Sequence, residues 1–282
     1  MRRKREERER ERERERMSKI SKQEIQKLFR WTQSDATIEK LVSHLNNILL
    51  KQNEQNEQKN ELHVNESMRN LVRRLRGGGN QETLLHRSCA HGSLSITTLL
   101  INYFQPDLLD VRNDQRKTPL HEACTIGSTK IVSMLLECGA LSDAHRTHSW
   151  TPLMYAVCRN HSDVCSLFID HMEKKEKKKK EEKEKKEDGK EEEEEEEKKE
   201  EKKKKTEDGK EEEEEKCHYI ALINQTNQDG MTALYLASRE NALACVEILL
   251  ERGQADPNIF TNTMRTPLHV AIKFQNARYV LE

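Results

Sequence analysis

Three histidines, His86, His121 and His269, each stand three residues after a Thr in copies of one short pattern. Aligned imidazoles invite a metal reading. They are set whole copies of the pattern apart, however, so local geometry does not converge them on one ion. Cys138, His145, His148, Cys158, His161 and Cys165 crowd one stretch, but the paired spacing of a zinc site is missing, and none of the seven cysteines falls in a C-x-x-C pair. The run Gly77–Gly79 follows a basic helical stretch rather than a strand, so it is not a phosphate loop. No nucleophile elbow, paired catalytic carboxylates or kinase motif occurs. The residues predict no catalytic, cofactor or metal site, and the chain reads as a non-enzyme.

The elements that carry these residues repeat. TLLHRSC (83–89), TPLHEAC (118–124), TPLMYAV (151–157), TALYLAS (232–238) and TPLHVAI (266–272) align on Thr83, Thr118, Thr151, Thr232 and Thr266, at spacings of 35, 33, 81 and 34. One insertion restores the period. Thr caps a helix by accepting from a first-turn N–H, and Pro119, Pro152 and Pro267 fit the first helical position. Leu85, Leu120, Leu153, Leu234 and Leu268 form an inward column. Ala123, Ala156, Ala237 and Ala271, with Ser88, form a column small enough for close helix approach. A second apolar block follows at 96–101, 131–136, 164–169 and 245–250, with helical spacing. Gly92 and Gly127 lie between the helices, and Gly139 and Gly253 follow the second, where a left-handed cap is expected.

The pattern resembles the ankyrin repeat over residues 83–171 and 221–282. The resemblance implies an all-α solenoid of helix-turn-helix units joined by β-hairpin fingers, with a concave surface made of fingers and first helices. It also implies that His86, His121 and His269 hold the fingers through bonds to backbone and to the Thr. Met154 and Tyr235 depart from this, so their fingers are expected to be held less firmly. In this phase Cys158 and Cys165 fall on different helices, His145 and His148 fall on a finger, and Cys89 and Cys124 are small core residues.

Around the repeats, residues 1–16 form a charged low-complexity tail, with Met17 an alternative start to Met1. Residues 17–61 form an N-terminal helical extension and polar linker, with an apolar stripe at Ile38, Leu41, Val42, Leu45 and Leu49. Repeats occupy 62–171, beginning with a degenerate cap that puts Val64, Met68, Leu71, Val72 and Leu75 on one helical face. Residues 172–220 are an insert in which 41 of the 44 residues in 173–216 are Lys, Glu or Asp, and EDGKE recurs at 187–191 and 207–211. That composition reads as a disordered solvated spacer. A docking arm and a long helix supported by Glu–Lys pairs are the alternatives. Such a loop is tolerable because closure cost grows slowly with length. Repeats resume over 221–282, and the last residues fall inside a second helix, so the sequence reads as a fragment.

A net charge of -1 argues against a nucleic-acid partner, and no run of about 20 apolar residues can span a membrane. The odd cysteine count suits reduced thiols in cytoplasm or nucleus. The reading is therefore a protein-interaction scaffold or adaptor using the concave surface. The alternatives are a substrate-recruiting subunit of a ubiquitin ligase, or the cytosolic part of a channel or signalling enzyme, with the defining domain beyond Glu282. Trp150, just before Thr151, is the leading surface candidate, because Trp and Tyr dominate binding hot spots. Tyr155 faces the same side one turn later. By phase, Arg87, Glu122, Leu236 and Val270 share that face, with Arg159, Arg239 and Glu240 nearby and finger tips at Asn113–Arg116, His145–Ser149 and Asn227–Asp229.

Overall fold

A computed structural model describes residues 22–33, 40, 43, 44, 72, 75–77, 79–104, 108–140, 150–188 and 220–274. The chain divides into two units, Met1–Leu141 and Ser142–Glu282, and the same helix pair recurs in each. In the first unit α1 (Lys22–Trp31) precedes α2 (Leu84–Ala90), α3 (Leu94–Phe104), α4 (Pro119–Ile126) and α5 (Thr129–Glu137). The second holds α6 (Pro152–Cys158), α7 (Ser162–Asp188), α8 (Ala233–Arg239), α9 (Leu243–Glu247) and α10 (Pro267–Lys273), with a π-helical turn, Ile248–Arg252, continuing α9. Among the described residues there is no strand beyond an antiparallel bridge between Gly77 and Glu82.

Each first helix starts as its sequence dictates. Thr83, Thr151, Thr232 and Thr266 are extended N-caps whose hydroxyls accept from the N–H three residues on at 3.2–3.4 Å. Pro119, Pro152 and Pro267 fill the first helical position. Ala123, Ala156, Ala237 and Ala271 are fully buried, and so are the second-helix residues Ile96, Ile131, Val164 and Cys245. In the first repeat Ser88 replaces the alanine, and Thr97 donates to its hydroxyl at 3.0 Å, linking α2 to α3. The turn between paired helices takes a left-handed residue at one fixed position. Gly92 and Gly127 fill it in the first unit, and Asn160 and Asn241, the side chains that best tolerate it, in the second.

Three expectations are corrected. The second helix of the third repeat does not end near His171 but runs to Asp188, so the helical alternative holds for the first part of the insert. Lys and Glu are strong helix formers, no Gly or Pro interrupts them before Gly189, and Arg252 anchors the root of the extension by pairing with Asp170 and Glu173. Gly253 is not a left-handed cap (φ -76). The π turn absorbs one extra residue, moving the left-handed position to Gln254 (φ 50). Gly253 is required for space, since a Cβ there would lie 2.7 Å from the Leu249 carbonyl oxygen. Finally, Leu236 and Val270 are buried at 0% and 1% exposure, so they are core residues and not an open surface.

At the N-terminal side, Val72 and Leu75 of the proposed cap are fully buried. Leu28 and Phe29 of α1 join them, and the Phe29 ring lies so close over Gly77 that a Cβ there would meet it at 2.6 Å. The apolar stripe at 38–49 and residues 275–282 lie outside the described residues, as do His145 and His148.

Candidate functional site

The fingers begin as tight turns. Asn113 Oδ1 accepts the Lys117 N–H and Asn227 Oδ1 accepts those of Asp229 and Met231, both residues also close the turn through their own backbone, and Thr261 takes the same place in the last finger. Neighbouring fingers join tip to tip: Asp114 N–H donates to the Asn80 carbonyl and Asn262 N–H to the Asp229 carbonyl, both at 2.9 Å. The finger is then locked to its helix. His86 Nδ1 lies 2.7 Å from the Thr83 hydroxyl and accepts from the Thr83 N–H, while Nε2 donates to the Lys117 carbonyl at 2.9 Å. Burial pushes this imidazole down to about 4. His121 and His269 repeat the bond to Thr118 and Thr266. Where Met154 replaces His, the Thr151 N–H meets only a sulfur, at 3.4 Å, a weaker acceptor. These histidines are structural.

Cys158 and Cys165 sit on separate helices, and the Cys165 thiol donates to Cys245 Sγ at 3.7 Å in the core. Among the described residues no group of three or more His, Cys, Asp or Glu is placed to hold a metal ion. Burial pushes the Cys158 thiol up to about 11, against the pull of Arg239 and Arg159, so it is not an activated nucleophile.

In three repeats the residue before the Thr reaches the residue four after it, forming a rung: Glu82–Arg87, Lys117–Glu122 and Trp150–Tyr155. In the first unit both rungs are ion pairs. Glu82 meets Arg87 at 3.3 Å, and Lys117 meets Glu122 at 3.5 Å. Burial raises the Glu122 carboxyl, opposed by Lys117. In the second unit the chemistry changes. Trp150 meets Tyr155 with ring centroids 5.5 Å apart and planes tilted 48°, both rings half-exposed. At the next repeat the same two positions are Met231 and buried Leu236, and Arg239 reaches the Met231 sulfur at 3.6 Å while pairing with Glu240 at 2.8 Å. At the last repeat the two positions are exposed Arg265 and buried Val270, with exposed Lys273 nearly a turn beyond. The sequence reading names Arg87 and Glu122 but not their partners Glu82 and Lys117, although opposite charges five residues apart were a readable signal.

The family model described as ankyrin repeats (3 copies) matches residues 48–146 and 212–282, and that described as ankyrin repeat matches 148–174. The chain belongs to the ankyrin-repeat family. Ankyrin repeats are in general protein–protein interaction modules and typically carry no catalysis, which agrees with a surface of rungs and the structural use of its histidines. Among curated proteins the chain is similar to ankyrin repeat domain-containing protein 53 of Macaca fascicularis, 36% identical over 56 residues. That match covers 20% of this chain and spans 11% of the relative's length. No helix among the described residues is long and apolar enough to cross a membrane.

Proposed function

We propose that the chain is a protein-interaction scaffold or adaptor that seats a partner segment on the finger-and-first-helix face of its second unit. The observation that supports this reading is the Trp150–Tyr155 rung. Two half-exposed aromatic rings stand where the first unit spends the same positions on ion pairs with each other. Rigid aromatic side chains give large contact area at low entropy cost, which suits a hot spot. Among the described residues six cysteines have free thiols, which favours a reducing compartment, cytoplasm or nucleus.

The test is a quantitative pull-down of the principal partner with Trp150→Ala/Tyr155→Ala against the parent chain. Capture should weaken by about 2 kcal/mol or more while the circular dichroism spectrum is unchanged. Undiminished capture by a folded double variant rejects this face.

A further inference from the structure

We infer that the segment seated on this face is an extended acidic stretch of a partner protein, led by one apolar anchor; the inference rests on the scaffold reading above. Arg265 at a rung position and Arg159, Arg239 and Lys273 at the ends of the first helices give this face of the second unit four cations, against Glu240 and the finger-tip Asp229. Glu240 is already taken, bonded to Arg239 at 2.8 Å, so cations outnumber acids. Arg159, Arg265 and Lys273 are exposed, and among the described residues no carboxylate pairs with them. Lys273 rests instead over the Phe274 ring, 5.4 Å from its centroid. In the first unit the equivalent rungs neutralise themselves. The second unit therefore presents positive charge beside an aromatic shelf, and charge complementarity selects an acidic occupant.

The spacing constrains the occupant further. Helices α6, α8 and α10 pack as successive neighbours, and packed helices lie about 8–10 Å apart. The aromatic shelf on α6 and Lys273 on α10 are thus separated by two such spacings, about 20 Å. An extended chain covers that in about six residues at ~3.3 Å each. The fitting segment places a Leu or Phe against the Trp150–Tyr155 pair and acidic residues about three and six positions along.

Fluorescence anisotropy on the full chain at about 150 mM salt, where long-range attraction is screened, tests this. The probes are a labelled 12-residue peptide with a Leu-Phe anchor followed by Asp and Glu, matched Gln and Lys versions, and a 12-nucleotide oligothymidine. The acidic peptide should bind saturably and the Gln peptide at least about tenfold more weakly. Arg159→Glu/Lys273→Glu and, separately, Trp150→Ala should each weaken the acidic peptide at least about tenfold. Lys130→Glu, an exposed change on α5, should leave it unaltered. Trp150-dependent binding of the Gln or Lys peptide overturns the acidic assignment and leaves the scaffold reading standing. Preference for the oligothymidine overturns it in favour of a nucleic acid. Binding that emerges only when Glu191–Glu197 are changed to Gln assigns the face to the chain's own acidic run, and the separate partner falls. If no probe binds and Trp150→Ala also leaves partner capture intact, the scaffold reading falls with it.

Discussion

His86 shows how one side chain joins finger, helix and neighbouring repeat. Its Nδ1 must accept from Thr83 while Nε2–H donates to Lys117, and only the neutral ring does both. In the folded chain it titrates near 4, against 6.5 for the ordinary group, so the unfolded chain binds more protons between those values. Its contribution is complete above pH 6.5 and is lost as pH falls toward 4, by up to about 1.4 kcal/mol per pH unit. His86→Gln should lower stability at neutral pH and remove that increment of slope. Urea melts of both proteins from pH 7.5 to 5 check this; parallel curves would move the source elsewhere. The finger turns hold a second residue-scale prediction. Gln81, Arg116, Gly230 and Met264 occupy the same left-handed position, two before the capping Thr. At Gly230 a Cβ would lie 2.8 Å from the Asn262 backbone nitrogen. Gly230→Ala should therefore cost about 1–3 kcal/mol, whereas Met264→Gly should stabilise by about 0.5 kcal/mol, both read from thermal melts.

At the scale of elements, the first helices were legible because Thr and Pro at fixed offsets state where a helix begins, and the second because apolar pairs recur at helical spacing. The aromatic half of the candidate site was legible for the same reason, since phase alone carried Trp150 and Tyr155 to one face. Phase failed at Leu236 and Val270. That column lies at the edge of the core, where long polar or aromatic side chains reach out while short aliphatic ones are covered by the neighbouring helix. At the insert, composition left a solvated spacer and a helix supported by Glu–Lys pairs both open, and the helix is seen up to Asp188. Composition could not show Arg252 reaching Ser166, Asp170 and Glu173 from another repeat. Nor did periodicity alone reveal α1, whose contact with the first repeat runs through Phe29 and Gly77. Since Glu173 ends the contacts described for this extension and exposed ion pairs contribute little, deleting residues 174–216 should move the melting midpoint by no more than about 2 °C. The same deletion should reduce the 222 nm helical signal, because it removes the ordered stretch up to Asp188. A large fall in midpoint would mean that the insert packs against the repeats.

Across the whole molecule, the packed element pairs join helices of one repeat or of the next one along, within each unit. Stability in such a chain is close to a sum of repeat and nearest-neighbour energies, so a lesion should be felt near where it is made. Buried cysteines report this without added probes. Cys89 and Cys124 serve the first unit, Cys165 and Cys245 the second, and all four are inaccessible. Burial pushes the Cys89 thiol up to about 12 and raises that of Cys124, so alkylation at neutral pH requires local opening before reaction. Cys138 is half-exposed and serves as an internal reference labelled in the folded state. Under pulsed alkylation followed by mass spectrometry, Gly230→Ala should raise the labelling rates of Cys165 and Cys245 at least about tenfold, the ratio equivalent to 1.4 kcal/mol of lost protection. Cys89 and Cys124 should change several-fold less. His86→Gln should produce the reverse pattern, because the bond it removes lies between the first two repeats. Equal acceleration of all four thiols by either change would instead mean that the repeats open as one cooperative block, with no local energy for a partner to draw on by binding one unit alone.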